Sequence, residues 1–145
     1  MSVKSAHILL VEDSEGDIVL TTEALEESKI INTISIVRNG EEALNYVFKK
    51  GDYTDVKLPD LILLDINLPL KNGHEVLEAI KTNDDVKHIP IIMLTTSSSE
   101  RDINLAYKHH ANCYITKPVE VNEFIKAVTS IEDFWLSLVK LPSSN

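Results

Sequence analysis

Five side chains of this 145-residue chain could do chemistry together: Glu12, Asp13, Asp65, Thr95 and Lys117. The three acids offer hard oxygen ligands for a divalent cation. Magnesium suits them, because it takes one or two carboxylates and keeps its other positions for water and a phosphate. Lys117 adds a mobile positive charge and Thr95 a hydroxyl donor, both better matched to a dianionic phosphoryl group than to a metal. Asp65 is central. It closes the run Pro59-Asp60-Leu61-Ile62-Leu63-Leu64-Asp65, whose four consecutive aliphatic residues read as a strand buried on both faces. A carboxylate there is costly unless paired, metal-bound or neutralised. Ile66-Asn67-Leu68-Pro69-Leu70-Lys71-Asn72-Gly73 cannot continue the strand, so Asp65 stands where strand becomes loop. Singly, each residue has an ordinary reading: acids at strand ends are solvated, Lys117-Pro118 stops a strand, and Thr95 caps a helix. Their conjunction at strand ends is what points to a site.

The apolar pattern supplies the strands and helices that would hold these side chains. His7-Ile8-Leu9-Leu10-Val11 reads as a strand ending in Glu12-Asp13. Ser14-Glu15-Gly16-Asp17 has the form of a capping box, opening a helix with Ile18, Leu20, Ala24 and Leu25 inward and its close near Ser28. Thr33-Ile34-Ser35-Ile36-Val37 is a β-branched strand with one wetter face, and Asn39-Gly40-Glu41-Glu42 opens a helix with the stripe Ala43, Leu44 and Val47. Lys49 to Lys57 reads as a polar surface loop. Val76, Leu77, Ala79 and Ile80 mark a third helix. Ile89-Pro90-Ile91-Ile92-Met93-Leu94 is a buried strand with Pro90 near its start, and Thr95 to Ser99 cap a helix from Glu100 to about His109. Asn112-Cys113-Tyr114-Ile115-Thr116 is the last strand, and the pattern is helical from about Val121 to Leu138. Repeated strand–helix alternation predicts a doubly wound α/β fold with a five-stranded parallel sheet and helices on both faces. Right-handed crossovers gather the strand ends at one edge, where ligands of such sheets bind.

Composition narrows the function classes. A formal net charge of −9, from 14 basic and 23 acidic residues, argues against nucleic acid or an anionic membrane as partner. The single Cys113 excludes an internal disulfide and suits a reducing compartment. Met1 to Ala6 form neither a signal peptide nor a membrane span, so a cytoplasmic protein is expected. The glycines Gly16, Gly40, Gly51 and Gly73 build no phosphate-cradling loop, and crowded acids disfavour a flavin or nucleotide site. His109-His110, adjacent on a helix, make a poor metal pair, and Cys113 reads as a small strand filler.

Leu9-Leu10-Val11-Glu12-Asp13, Leu63-Leu64-Asp65-Ile66-Asn67-Leu68-Pro69 with Gly73, Leu94-Thr95 and Tyr114-Ile115-Thr116-Lys117-Pro118 together resemble the receiver domain of two-component response regulators. The likeness runs from about residue 6 to 130. The longer connection Lys50 to Leu58 and the ending Ile131-Glu132-Asp133-Phe134-Trp135-Leu136 resemble the single-domain regulators that serve bacterial phytochrome kinases. The resemblance implies a flavodoxin-like sheet in the order 2-1-3-4-5 and one receiver domain over residues 1–145, with an extension from about 131. It also implies roles. Asp65 would take a phosphoryl group from a phosphohistidine on a sensor histidine kinase. Asp13, Asp65 and the backbone carbonyl of Asn67 would bind Mg2+, with Glu12 acting through water. Lys117 and Thr95 would contact the phosphoryl oxygens, Asn67 and Ser97 would flank the hydrolytic water, and Lys117-Pro118 would be a cis peptide. Tyr114 occupies the aromatic switch position, although a ring filling a strand-end gap explains it as well.

A DNA-binding domain is not expected within these 145 residues, so the expected output is a surface read by another protein or by a second copy. Phe124, Val128, Ile131, Trp135 and Leu138 recur at alternating intervals of four and three, a seam spacing. The first half covers the sheet. Phe134, Trp135 and Leu138 should lie beyond it and need another surface; a homodimer interface is expected in preference to packing within the same molecule. A phosphorelay intermediate and a terminal effector both fit. An aspartate-nucleophile phosphatase does not, because it needs an acid where Asn67 stands.

Overall fold

The computed structural model describes residues 2–3, 6–28, 31–96, 100–108, 110–131 and 139–140. Strands β2 (Ala6–Val11), β3 (Ile31–Val37), β4 (Leu61–Asp65), β5 (Ile91–Thr95) and β6 (Cys113–Thr116) form one parallel sheet in the order β3-β2-β4-β5-β6. Counted within that sheet this is the expected 2-1-3-4-5. Helices α1 (Glu15–Glu27), α2 (Gly40–Val47), α3 (Gly73–Lys81), α4 (Glu100–Lys108) and α5 (Val121–Ser130) alternate with the strands. Alternation of side chains along each strand divides the core in two. Ile8, Leu10, Leu63 and Ile92 meet Leu25 of α1 and Phe124 and Val128 of α5, while Leu9, Val11, Ile62 and Met93 meet Val47 of α2 and Leu77 and Ile80 of α3. Every residue of β4 and β5 is buried, so only their carboxyl ends can present a polar group to a ligand.

Several local expectations need correction. Leu20 is 49% exposed, and Thr21 takes the inward place with Ile18, Ala24 and Leu25. Thr21 stands three residues after Ile18, on the same helix face; Leu20 stands two after it and points away. The Lys49 to Lys57 stretch is more than a surface loop. It contains a 3-10 turn, Gly51–Tyr53, and the Tyr53 ring packs against Tyr46 at 5.2 Å between centroids while its hydroxyl donates to Glu42 Oε1 at 3.2 Å. β5 begins after Pro90, which has no N–H to give; the Pro90 carbonyl instead accepts from Ile62 N–H at 3.0 Å.

At the C-terminus α5 closes at Ser130, and Ile131 has already left helical geometry (φ −95°, ψ 83°). The expected continuation to Leu138 falls on residues 132–138, outside the described residues. Val139–Lys140 then form a short strand, β7, paired antiparallel with β1 (Ser2–Val3), a ribbon that no pattern in either segment announces.

Candidate functional site

Register between neighbouring strands assembles the site. Val11 pairs with Leu64, so Glu12, the next residue, comes out beside Asp65. Asp65 pairs with Leu94, which puts Thr95 one residue further along the adjacent strand. Thr95 pairs with Thr116, and the following Lys117 N–H donates to the Thr95 carbonyl at 2.7 Å. Glu12, Asp65 and Thr95 are buried and Asp13 is exposed.

Carboxylate oxygens from Glu12, Asp13 and Asp65 all lie within 4.8 Å of one another. The Lys117 amine sits 2.8 Å from Glu12 Oε2, 3.0 Å from Asp17 Oδ2 and 3.3 Å from Asp65 Oδ1, with its side chain only 6% exposed. One cation therefore serves three acids, and Asp13 adds a fourth beside them. The surplus of negative charge, carried on hard oxygens with one side open to water, fits a small divalent cation that keeps part of its hydration. Burial raises the Asp65 carboxyl, the Glu12 charge raises it further and Lys117 opposes both, leaving it at about 6. Burial pulls the Lys117 amine down, but its bonds to Glu12 and Asp17 and the charge of Asp65 outweigh this and hold it above the ordinary lysine range.

The loop after Asp65 is shaped around that residue. Asn67 N–H faces Asp65 Oδ1 at 3.4 Å, Ile66 N–H donates to Leu94 O at 3.1 Å, and Gly73 N–H returns to Ile66 O at 2.8 Å. A Cβ on Gly73 would fall on the Asp65 carbonyl, so only glycine fits there. Gly40, at the start of α2, is held as tightly by the Lys71 carbonyl of the same loop, and its N–H reaches Pro69 O at 3.3 Å. A full capping box at Asn72 and Glu75 then starts α3 directly behind the loop.

Glu12, Asp13, Asp65, Thr95 and Lys117 thus share one edge of the sheet, with Asn67 beside them. A cis peptide bond joins Lys117 and Pro118. Tyr114 is half-buried and meets Tyr107 edge-on at 6.0 Å between centroids. Ser97, Phe134, Trp135 and Leu138 lie outside the described residues. Sequence reasoning missed Asp17, taken as the acid of a capping box. The Ser14 hydroxyl does accept from Asp17 N–H at 3.4 Å, but the Ser14 N–H that would complete the box donates to Glu12 Oε1 at 3.2 Å, and the Asp17 carboxylate turns to Lys117. The signal was an acid close behind Glu12-Asp13, and helix grammar explained it away.

Comparison with known proteins agrees with this geometry. The model of the response regulator receiver domain matches residues 8–129. The chain belongs to the response regulator receiver family. This receiver is similar to the response regulator Rcp1 of Synechocystis sp., with 46% identity over 137 residues that cover 94% of this chain and 93% of Rcp1. Among solved structures it is similar to the bacteriophytochrome response regulator RtBRR, at 40% identity and a TM-score of 0.83, covering 95% of this chain and 84% of that one. It is also similar to the phosphorylated cyanobacterial phytochrome response regulator RcpA, at 46% identity and a TM-score of 0.78, covering 95% and 99%. Rcp1 itself has been solved in a Mn2+-bound form. Receivers of response regulators are signalling proteins, and no helix among the described residues is long and apolar enough to cross a membrane.

Proposed function

We propose that this receiver accepts a phosphoryl group on Asp65 from the phosphohistidine of a sensor histidine kinase, of phytochrome type, and so switches a protein-binding surface. The observation that carries this is the placement of one buried carboxylate, Asp65, both in a triad of acids and within ion-pair reach of Lys117. Asp13, Asp65 and the Asn67 carbonyl would hold Mg2+, with Glu12 acting through water. Bound there, the ion would neutralise charge on the phosphoryl oxygens. Phosphoryl transfer asks the protein for positioning and charge neutralisation more than for covalent help. The Asp65 carboxylate attacks phosphorus in line, a new P–O bond forms, and the P–N bond breaks with its electron pair left on the histidine. Lys117 and the Thr95 hydroxyl take up the phosphoryl oxygens. Water later hydrolyses the acyl phosphate past Asn67 and returns Asp65 to its starting state.

The phytochrome assignment is supported by the names of two solved structures similar to this chain, RtBRR and RcpA, and by likeness over nearly the whole chain. A cytoplasmic dimer that ends the pathway is the form we favour; a relay intermediate would use the same chemistry and differ in the next acceptor. To test the site, the protein is incubated with acetyl phosphate, with and without Mg2+, and its intact mass followed. A magnesium-dependent, alkali-labile gain of one phosphoryl group is expected in the wild type and none in Asp65→Asn. An equal gain in that variant would overturn the assignment.

A further inference from the structure

We infer that Asp17 is a positioning residue that occupies one N–H of the Lys117 amine and releases it when the phosphoryl group arrives. An ammonium has three N–H donors. In this structure three carboxylates claim them: Glu12 at 2.8 Å, Asp17 at 3.0 Å and Asp65, the longest, at 3.3 Å. A phosphoryl oxygen that needs Lys117 must therefore displace an existing partner. Glu12 cannot be the one. It makes the shortest of the three pairs and its side chain is wholly buried, so water cannot take the lysine's place there. Asp65 is the residue being phosphorylated. Asp17 remains, with its side chain 31% exposed on the first turn of α1, where water can replace the lysine. The backbone of Asp17 stays fixed meanwhile, because its N–H is held by the Ser14 hydroxyl at 3.4 Å. The carboxylate can let go without any movement of the helix. On this account Asp17 competes with the phosphoryl group for one amine, and so sets how readily Asp65 is loaded and how long it stays loaded.

The inference rests on Asp65 being the phosphoacceptor, and the test separates the two. Affinity for beryllofluoride, a phosphoryl mimic, is measured by titration calorimetry at saturating Mg2+, and affinity for Mg2+ is measured alone. Asp17→Asn is expected to bind beryllofluoride about fivefold more tightly, the worth of a partly exposed ion pair. It should show no matching gain for Mg2+. Asp17→Glu, which restores the charged partner, should return to wild type. Glu15→Gln removes a charge from the same helical turn, where Glu15 pairs with Arg38 at 2.7 Å rather than with Lys117, and should change nothing. Equal tightening in Glu15→Gln would assign the effect to net charge, and tightening in Asp17→Glu would assign it to packing; either overturns the inference, as does an unchanged Asp17→Asn. A wild type that binds no beryllofluoride and gains no phosphoryl mass would remove the phosphoacceptor reading, and this one with it.

Discussion

Asp65 is a carboxylate that its surroundings resist ionising until a cation helps. Its carboxyl has risen from an ordinary 3.8 to about 6, chiefly because it is buried and then because Glu12 is beside it. The sign of the stability effect follows. Between those two values the folded chain holds a proton that the unfolded chain has lost, so the metal-free protein should lose stability as pH rises from about 4 to 6. Above pH 6 the whole penalty is present, on the order of 3 kcal/mol for a shift of this size. Urea unfolding of the metal-free protein at pH 4.5 and 7 reads it. Asp65→Asn should be more stable than wild type at pH 7 by about 2–3 kcal/mol and flatter with pH. A variant less stable than wild type at pH 7 would show that Asp65 is already well compensated by Lys117 alone. Lys117, raised rather than lowered, keeps its charge across this window and contributes no slope to it.

Among the elements, the loop from Ile66 to Gly73 does most to aim Asp65, and it is held from both ends. Gly73 backs onto the Asp65 carbonyl, and Gly40 of α2 backs onto Lys71. Leu70 between them adopts a left-handed backbone (φ 68°) that leaves its side chain exposed. A side chain at Gly73 cannot be absorbed by a rotamer change, since the atoms it meets are backbone. Gly73→Ala should therefore lower stability by about 2–4 kcal/mol. It should also slow the magnesium-dependent mass gain at Asp65 well beyond any fraction unfolded. Normal phosphorylation kinetics in a variant that still folds would mean that the loop can shift without moving the carboxylate.

The whole molecule keeps its chemistry at one sheet edge and buries the strands β4 and β5 that lead to it. Phe124, Val128 and Ile131, the first half of the seam, are spent on the molecule's own core, as the sheet requires. The apolar residues that follow them in sequence, Phe134, Trp135 and Leu138, are the candidates for a contact with a second copy. Trp135→Ala should shift elution on a calibrated sizing column from dimer to monomer while leaving phosphorylation of Asp65 intact. A wild type that elutes as a monomer at all concentrations would remove the dimer. The β1–β7 pairing also joins Ser2–Val3 to the strand that follows that segment.

The α/β alternation, the strand ends that carry Glu12, Asp13, Asp65, Thr95 and Lys117, and the family they resemble are all legible in the order of the amino acids. Short continuous aliphatic runs such as Leu61 to Leu64, bounded by turn residues, read as strands covered on both faces, and chain connectivity then gathers their ends. What each polar group faces is set by packing in three dimensions. The Asp17 carboxylate could cap its own helix or reach Lys117, a hundred residues away in sequence, and local pattern favours the cap; packing of α1 beside β6's end selects the ion pair. The ribbon of β1 with β7 shares that cause: its two strands are distant in sequence, and short segments carry no periodicity that names a distant partner.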